Sequence, residues 1–284
     1  MIKEIRNRVL GHTNSRPILA DLILQSTSSP TLIFVHGFKG FKDWGAWNTM
    51  AQFFSTRGYN FVKINLSHNG GTVDQVEDFP DLEAFGRNTF SFELDDIKTV
   101  LDRITIESEE FKSVDSLKIA LIGHSRGGAM SIIHALEDKR IGALITLNAV
   151  TNIIDWMRQF DEDKWRADGV LWAYNSRTEQ NMPLYIDLLD DFQQNIHRFD
   201  VLNRIDTIGI PVLNIHCKDD QVVSYLQAKD MSEACNTAQL YLIEEGGHTF
   251  GARHPMGDGT WPDSLNSACE RIHHFFKVLD WIEE

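Results

Sequence analysis

The sequence predicts an α/β protein built on a parallel sheet. Three observations predict it. Short runs rich in branched and aromatic apolar residues recur at 31–35, 59–66, 117–122, 141–147 and 211–216, as strands buried on both faces of a sheet require. Segments with helical spacing stand between them, and most links are short. Strand, helix and strand in that succession imply parallel pairing through crossovers.

Residues 2–10 and 17–25 alternate or run apolar and read as two strands, joined to the next by a turn over 26–30. The apolar run 31–35 ends in His36-Gly37-Phe38-Lys39-Gly40. Residues 46–57 form a helix with apolar positions at Trp47, Met50, Phe53 and Phe54, closed by Gly58. After the strand at 59–66, residues 67–88 are rich in Gly, Asp and Asn, and a loop of that length is often functional. A helix follows over 90–107. The strand at 117–122 then leads into Gly123-His124-Ser125-Arg126-Gly127-Gly128, and a helical pattern leads out over 129–136. Residues 151–205 break the alternation with Trp156, Phe160, Trp165, Trp172, Tyr174, Tyr185 and Phe192 among many acids. They read as two or three helices forming a cap inserted in one domain spanning 1–284. Alternation resumes with a strand at 211–216, a helix at 224–235, a strand at 239–243 and a terminal helix at 264–282.

Composition narrows the function. The net charge of −14 disfavours nucleic acid and anionic membranes as partners, since both need a basic face. Cys217, Cys235 and Cys269 fit no disulfide framework and no zinc spacing, so reduced structural thiols are expected. The first residues carry no apolar signal core, and no stretch approaches the roughly 18 apolar residues of a membrane span. A cytoplasmic protein, monomeric or homodimeric, is the expectation. No metal or organic cofactor is expected, because no two histidines share ligand spacing with an acid, and His273 and His274 point to different helix faces.

The turn around Ser125 has the G-x-S-x-G pattern of a nucleophile elbow, in which a strained serine needs neighbours without bulk. A serine hydroxyl attacks only when a base takes its proton, and the base needs a carboxylate to fix its tautomer. Both should follow Ser125 at the carboxyl ends of later strands. Past the strand ending at Ile215 stand Asp219 and Asp220, and either could serve. Distance from the strand end and the following Val222-Val223 favour Asp220. Past the last strand stand Gly246-Gly247-His248, where glycines suit a tight loop presenting an imidazole. Oxyanion donors are expected from the backbone N–H of Arg126 and, in the loop after 31–35, of Phe38. His36 reads as a brace for that loop.

These stretches, His36–Gly40, Gly123–Gly128, Lys218–Val223 and Gly246–Phe250, resemble the α/β-hydrolase superfamily of serine hydrolases over roughly residues 15–282. Within it the chain looks most like bacterial hydrolases related to dienelactone hydrolase and to the prolyl-oligopeptidase catalytic domain. The resemblance implies an eight-stranded, mostly parallel sheet, with Ser125, Asp220 and His248 as triad and Phe38 and Arg126 as oxyanion donors. Dienelactone hydrolases proper carry a cysteine where Ser125 stands, so lactone hydrolysis of that kind is not implied. The sequence holds no β-propeller, so the size gating of the oligopeptidases is not expected.

The substrate is expected to be a small acyl compound, an ester or thioester. A peptidase or amidase, or a ligand-binding module without turnover, are the alternatives. Substrate contacts are expected from the loop after 59–66 through His68 and from the cap through Trp156, Trp172 and Arg177, although the cap aromatics could equally pack the cap on the core.

Overall fold

The computed structural model describes residues 2–257 and 261–282. In chain order, β1 (Lys3–Thr13), β2 (Arg16–Leu24) and β3 (Ser29–Val35) precede α1 (Trp47–Ser55) and β4 (Asn60–Asn65). Then come α2 (Leu82–Gly86), α3 (Phe90–Thr105), β5 (Val114–His124), α4 (Arg126–Glu137) and β6 (Ala143–Leu147). The inserted segment holds α5 (Ile153–Met157), α6 (Glu162–Asp168), β7 (Val170–Asn175), β8 (Gln180–Tyr185), α7 (Ile186–Gln194) and α8 (Ile196–Phe199). The chain closes with β9 (Val212–Cys217), α9 (Tyr225–Ala234), β10 (Ala238–Ile243) and α10 (Asp263–Val278).

Eight strands form one sheet in the order β1-β2-β4-β3-β5-β6-β9-β10. The pairs β1–β2 and β2–β4 are antiparallel, and every pair from β4 to β10 is parallel. The central strands are apolar along both faces because helices cover both. On one side Ile97, Val100 and Leu101 of α3, Met130 and Ile133 of α4, and Met231 of α9 join one apolar core. On the other, Trp47, Met50 and Phe54 of α1 meet Leu265, Ile272 and Phe276 of α10. Each such side chain contributes roughly 1.5–3 kcal/mol by leaving water. No helix among the described residues is long and apolar enough to cross a membrane.

Two expectations need correction. The loop over 67–88 contains α2, a single turn capped by Asp81, whose carboxylate accepts from the Ala84 N–H at 2.9 Å. The segment 151–205 is not only helical, because β7 and β8 pair as an antiparallel hairpin. Its outer face leaves Trp172 and Tyr174 exposed, at 59% and 58%. Alternate aromatics on a two-stranded ribbon resemble a helix stripe when no partner strand is known. The hairpin is seated by Trp165 of α6, whose indole N–H donates to the Leu184 carbonyl at 2.9 Å.

A buried charge cluster ties the loop after β3 to the sheet. Asp21 and Lys63 face each other on β2 and β4. Lys63 lies 3.1 Å from Asp21 and 2.6 Å from Asp43, and Lys42 lies 2.8 Å from Asp21 and also pairs with Asp43. Burial alone would raise the Asp21 carboxyl, but Lys63, Lys42 and the Asn7 N–H hold it well below the ordinary carboxylate range. The backbone of the same loop is held by Asn65, which accepts from the Lys42 N–H at 2.6 Å.

Removing one member leaves the others charged in a dry site. Asp21→Ala is therefore expected to lower the unfolding free energy by about 3–5 kcal/mol, measured by urea denaturation. A loss below about 1 kcal/mol would show that the two lysines do not depend on Asp21 for compensation.

Candidate active site

Between β5 and α4 the chain turns at Ser125, with φ 54° and ψ −123°. That left-handed value is costly for a side chain with a Cβ and persists only when the surroundings over-determine it. Here the Ser125 N–H donates to the Leu147 carbonyl at 3.0 Å, and the Ser125 carbonyl accepts from Gly128 and Val150 at 3.0 and 3.1 Å. Three glycines make room. A Cβ on Gly123 would lie 2.5 Å from the Gly127 carbonyl oxygen, one on Gly127 would lie 2.3 Å from the His36 oxygen, and one on Gly128 would lie 2.4 Å from Ala149 Cβ. The motif names the first two; the third is required by the chain leaving β6.

The loop after β10 brings His248 to the serine. Its Nε2 stands 2.9 Å from Ser125 Oγ, and its Nδ1 stands 2.8 Å from Asp220 Oδ2. An ionised carboxylate only accepts, so Nδ1 carries the proton and the bare Nε2 accepts from the serine hydroxyl. Burial would raise the Asp220 carboxyl, yet His216, His248 and the Val223 N–H hold it far below the ordinary range. Its Oδ1 takes the N–H groups of Val222 and Val223 at 2.7 and 3.0 Å. His216 Nε2 lies 3.5 Å from Oδ2 and donates to the Val223 carbonyl at 2.9 Å.

Asp219, the alternative acid, points elsewhere. It accepts from the N–H groups of Gly246 and Gly247 at 3.0 and 2.8 Å and so fixes the loop that carries His248. Two residues that the motifs do not mark complete that loop. Asn148, at the end of β6, donates to the carbonyls of Gly247 and His248, both at 2.9 Å. His124 Nε2 bonds the His248 carbonyl at 2.8 Å, and burial pushes its imidazole down to about 3, so it donates as a neutral ring.

The loop after β3 lies against the serine, since a Cβ on Gly37 would come 2.8 Å from Ser125 Cβ. His36 is buried, and burial pushes its imidazole down to about 4. Its Nδ1 bonds the Gly37 carbonyl at 2.8 Å, Gly40 N–H donates to the same oxygen at 3.0 Å, and Leu66 N–H donates to His36 Nε2 at 3.3 Å. With that carbonyl pinned, the Phe38 N–H on the other edge of the planar peptide is directed the opposite way. The Arg126 N–H belongs to the first turn of α4, where no intrahelical acceptor exists. The Arg126 side chain is buried, 2.6 Å from Glu93 and stacked 4.6 Å over the Phe38 ring. A cavity of about 190 Å³ opens here, lined by Phe38, Lys39, Trp44, Trp47, Ser125 and His248 among others. A larger depression, about 960 Å³, is lined by other residues, among them Asp115, Lys118 and Trp281.

The other expected contacts are dispersed. Trp156 is half-buried with its ring 6.2 Å from that of Phe38, so it adjoins this cluster. Trp172 is exposed on the hairpin. Arg177 pairs with Asp78 at 2.6 Å, joining hairpin to loop. The cysteines are free and buried, and burial pushes the Cys217 thiol up to about 12.

A family model described as the alpha/beta hydrolase family matches residues 32–258. Est1E from Butyrivibrio proteoclasticus, with ferulic acid bound, superposes with a TM-score of 0.71 at 19% identity, over 96% of this chain and 97% of that one. Dienelactone hydrolase from Anabaena variabilis gives 0.63 at 11% identity, over 100% and 99%. A puromycin-hydrolyzing peptidase of Mycobacterium tuberculosis gives 0.67 at 15% identity, over 97% of this chain but 38% of that one. At these identities the superpositions speak for the fold. No curated protein matches the chain in sequence.

His68 is buried, stacked 4.7 Å from Phe92, with Nδ1 2.7 Å from Ser67 Oγ. Its contacts are those of a packed side chain. Beneath it Asp96 of α3 accepts from the Ser67 N–H at 2.6 Å, and burial pushes its carboxyl up to about 7. A raised carboxyl binds a proton in the folded state that the unfolded chain has lost. Stability therefore falls as pH rises from about 4 to 7, by up to about 1.4 kcal/mol per unit. Asp96→Asn removes that term. The variant is expected to gain in Tm relative to the wild-type chain between pH 5 and pH 8; parallel profiles would contradict the assignment.

Proposed function

Because the chain belongs to the alpha/beta hydrolase family, we propose that it is a cofactor-independent serine hydrolase that cleaves a small carboxylic ester or thioester through an acyl-enzyme on Ser125. The observation that carries this reading is the unbroken relay Ser125 Oγ–His248 Nε2, 2.9 Å, and His248 Nδ1–Asp220 Oδ2, 2.8 Å. His248 takes the hydroxyl proton as Oγ attacks the carbonyl carbon. Asp220 keeps the imidazole in the required tautomer and stabilises the imidazolium. The N–H groups of Arg126 and Phe38 receive the oxyanion, at roughly 3 kcal/mol each. Collapse of the tetrahedral intermediate expels the leaving group, which takes its proton from His248. Water, deprotonated by the same histidine, then releases the acid.

The cavity beside Ser125, about 190 Å³, is smaller than the roughly 300–1,000 Å³ of drug-sized sites and suits a small group of the substrate. The aryl ligand of Est1E makes aryl esters a sensible part of any panel.

A fluorophosphonate probe is expected to label the wild-type chain and not Ser125→Ala; absence of labelling would refute a serine hydrolase. On p-nitrophenyl esters, Asp220→Asn is expected to lower kcat about 10³–10⁴-fold through the wrong imidazole tautomer. Asp219→Asn, which keeps the histidine partner, should cost far less. The reverse order would transfer the acid role to Asp219. Thioesters and aminoacyl amides in the same panel decide the scissile bond.

A further inference from the structure

Lys39 stands out in the cavity beside Ser125. Its side chain is half-buried, and burial alone lowers its ammonium. Among the described residues no carboxylate lies within ion-pair distance of it, whereas the other two lysines of this loop and its base, Lys42 and Lys63, are both paired with Asp21 and Asp43. Its Nζ donates to the Tyr174 carbonyl of the hairpin at 2.6 Å and lies 5.4 Å from the Phe38 ring. An ammonium has three donors, and a neutral carbonyl takes one. The backbone at Lys39 has φ 56°, a conformation that glycine or asparagine adopts at lower cost. The lysine there sits against its own backbone preference.

Position decides what the charge meets. His248 and Thr249 line this same cavity. His248 must protonate the departing oxygen, so a leaving group seated in this cavity, between His248 and the loop that carries Phe38 and Lys39, stands within its reach. We propose that Lys39 is a specificity-determining residue that binds an anionic substituent, a carboxylate above all, on the leaving-group half of the ester. The inference rests on the hydrolase reading above and names its substrate class. The aromatic walls Phe38, Trp44 and Trp47 suit a flat leaving group. The net charge of −14 gives no long-range attraction for an anion, so recognition depends on short-range contact.

The test compares acetoxybenzoates, with the carboxylate meta or para, against the corresponding acetoxybenzamides, which are isosteric and neutral. The quantity read is the ratio of kcat/KM for acid over amide, in which intrinsic reactivity cancels between enzymes. A charged hydrogen bond predicts that Lys39→Met lowers this ratio about tenfold or more, that Lys39→Arg retains most of it, and that added salt lowers it in the wild-type enzyme. A ratio within twofold of wild type for both isomers overturns the proposal. So does a proportional loss on acid and amide, which would mark a structural residue. If the amides turn over with dependence on Ser125 while the ratio does not respond, the hydrolase reading stands and only the role of Lys39 fails. If neither ester turns over and the fluorophosphonate does not label, the hydrolase reading itself falls.

Discussion

The strained backbone at Ser125 is the constraint from which the site is built. A left-handed residue between a buried strand and a helix is held only if neighbours on every side fix it. The Leu147 carbonyl, the Gly128 and Val150 N–H groups and the tight approach of His36 do so. The same crowding explains Gly123, Gly127 and Gly128, where any side chain would meet backbone or a β-carbon. It also sets the serine hydroxyl at the carboxyl end of β5, where loops from β3, β9 and β10 converge because their strands run parallel.

Those loops are braced from behind. Asp219 and Asn148 hold the backbone before and at His248, and His124 holds its carbonyl. His36 pins the Gly37 peptide, and the Asp21–Lys42–Lys63–Asp43 cluster anchors the chain a few residues on. Neighbouring aspartates thus divide the work: Asp220 meets the imidazole, and Asp219 meets the loop that presents it. Arg126 likewise joins two parts of the site, with its N–H in the elbow and its guanidinium between Glu93 and the Phe38 ring.

Much of this is legible in the sequence because it is encoded locally. The apolar runs mark the central strands, since a strand covered on both faces is mostly apolar and carries polar residues only where they are paired, as Lys63 is. Ser125, Asp220 and His248 announce themselves by following strand ends in one order, and the structure brings them within hydrogen-bond distance. What is hidden depends on contacts distant in the chain. Lys42 and Lys63 look like surface lysines until their carboxylates are placed. Asn148 is an ordinary polar residue just past β6, and His216 one within β9. Trp172 and Tyr174 look like a packing stripe, and only the register of β7 on β8 turns them outward. His68 follows a strand end, and its partners Phe92 and Ser67 are not legible from that position alone.

The segment between β6 and β9 has a double duty. These strands are parallel neighbours, so the chain leaving the top of one must return to the bottom of the other, and such a return takes a dozen residues or more. Here the return is made by the segment that carries Trp156 and the hairpin, and its helix α7 is moored to α3 where Ser91 donates to Asp191 at 3.0 Å. The inserted segment is therefore also a structural strut. Exchange of the whole segment would have to preserve that crossover, which sets how it must enter and leave the sheet.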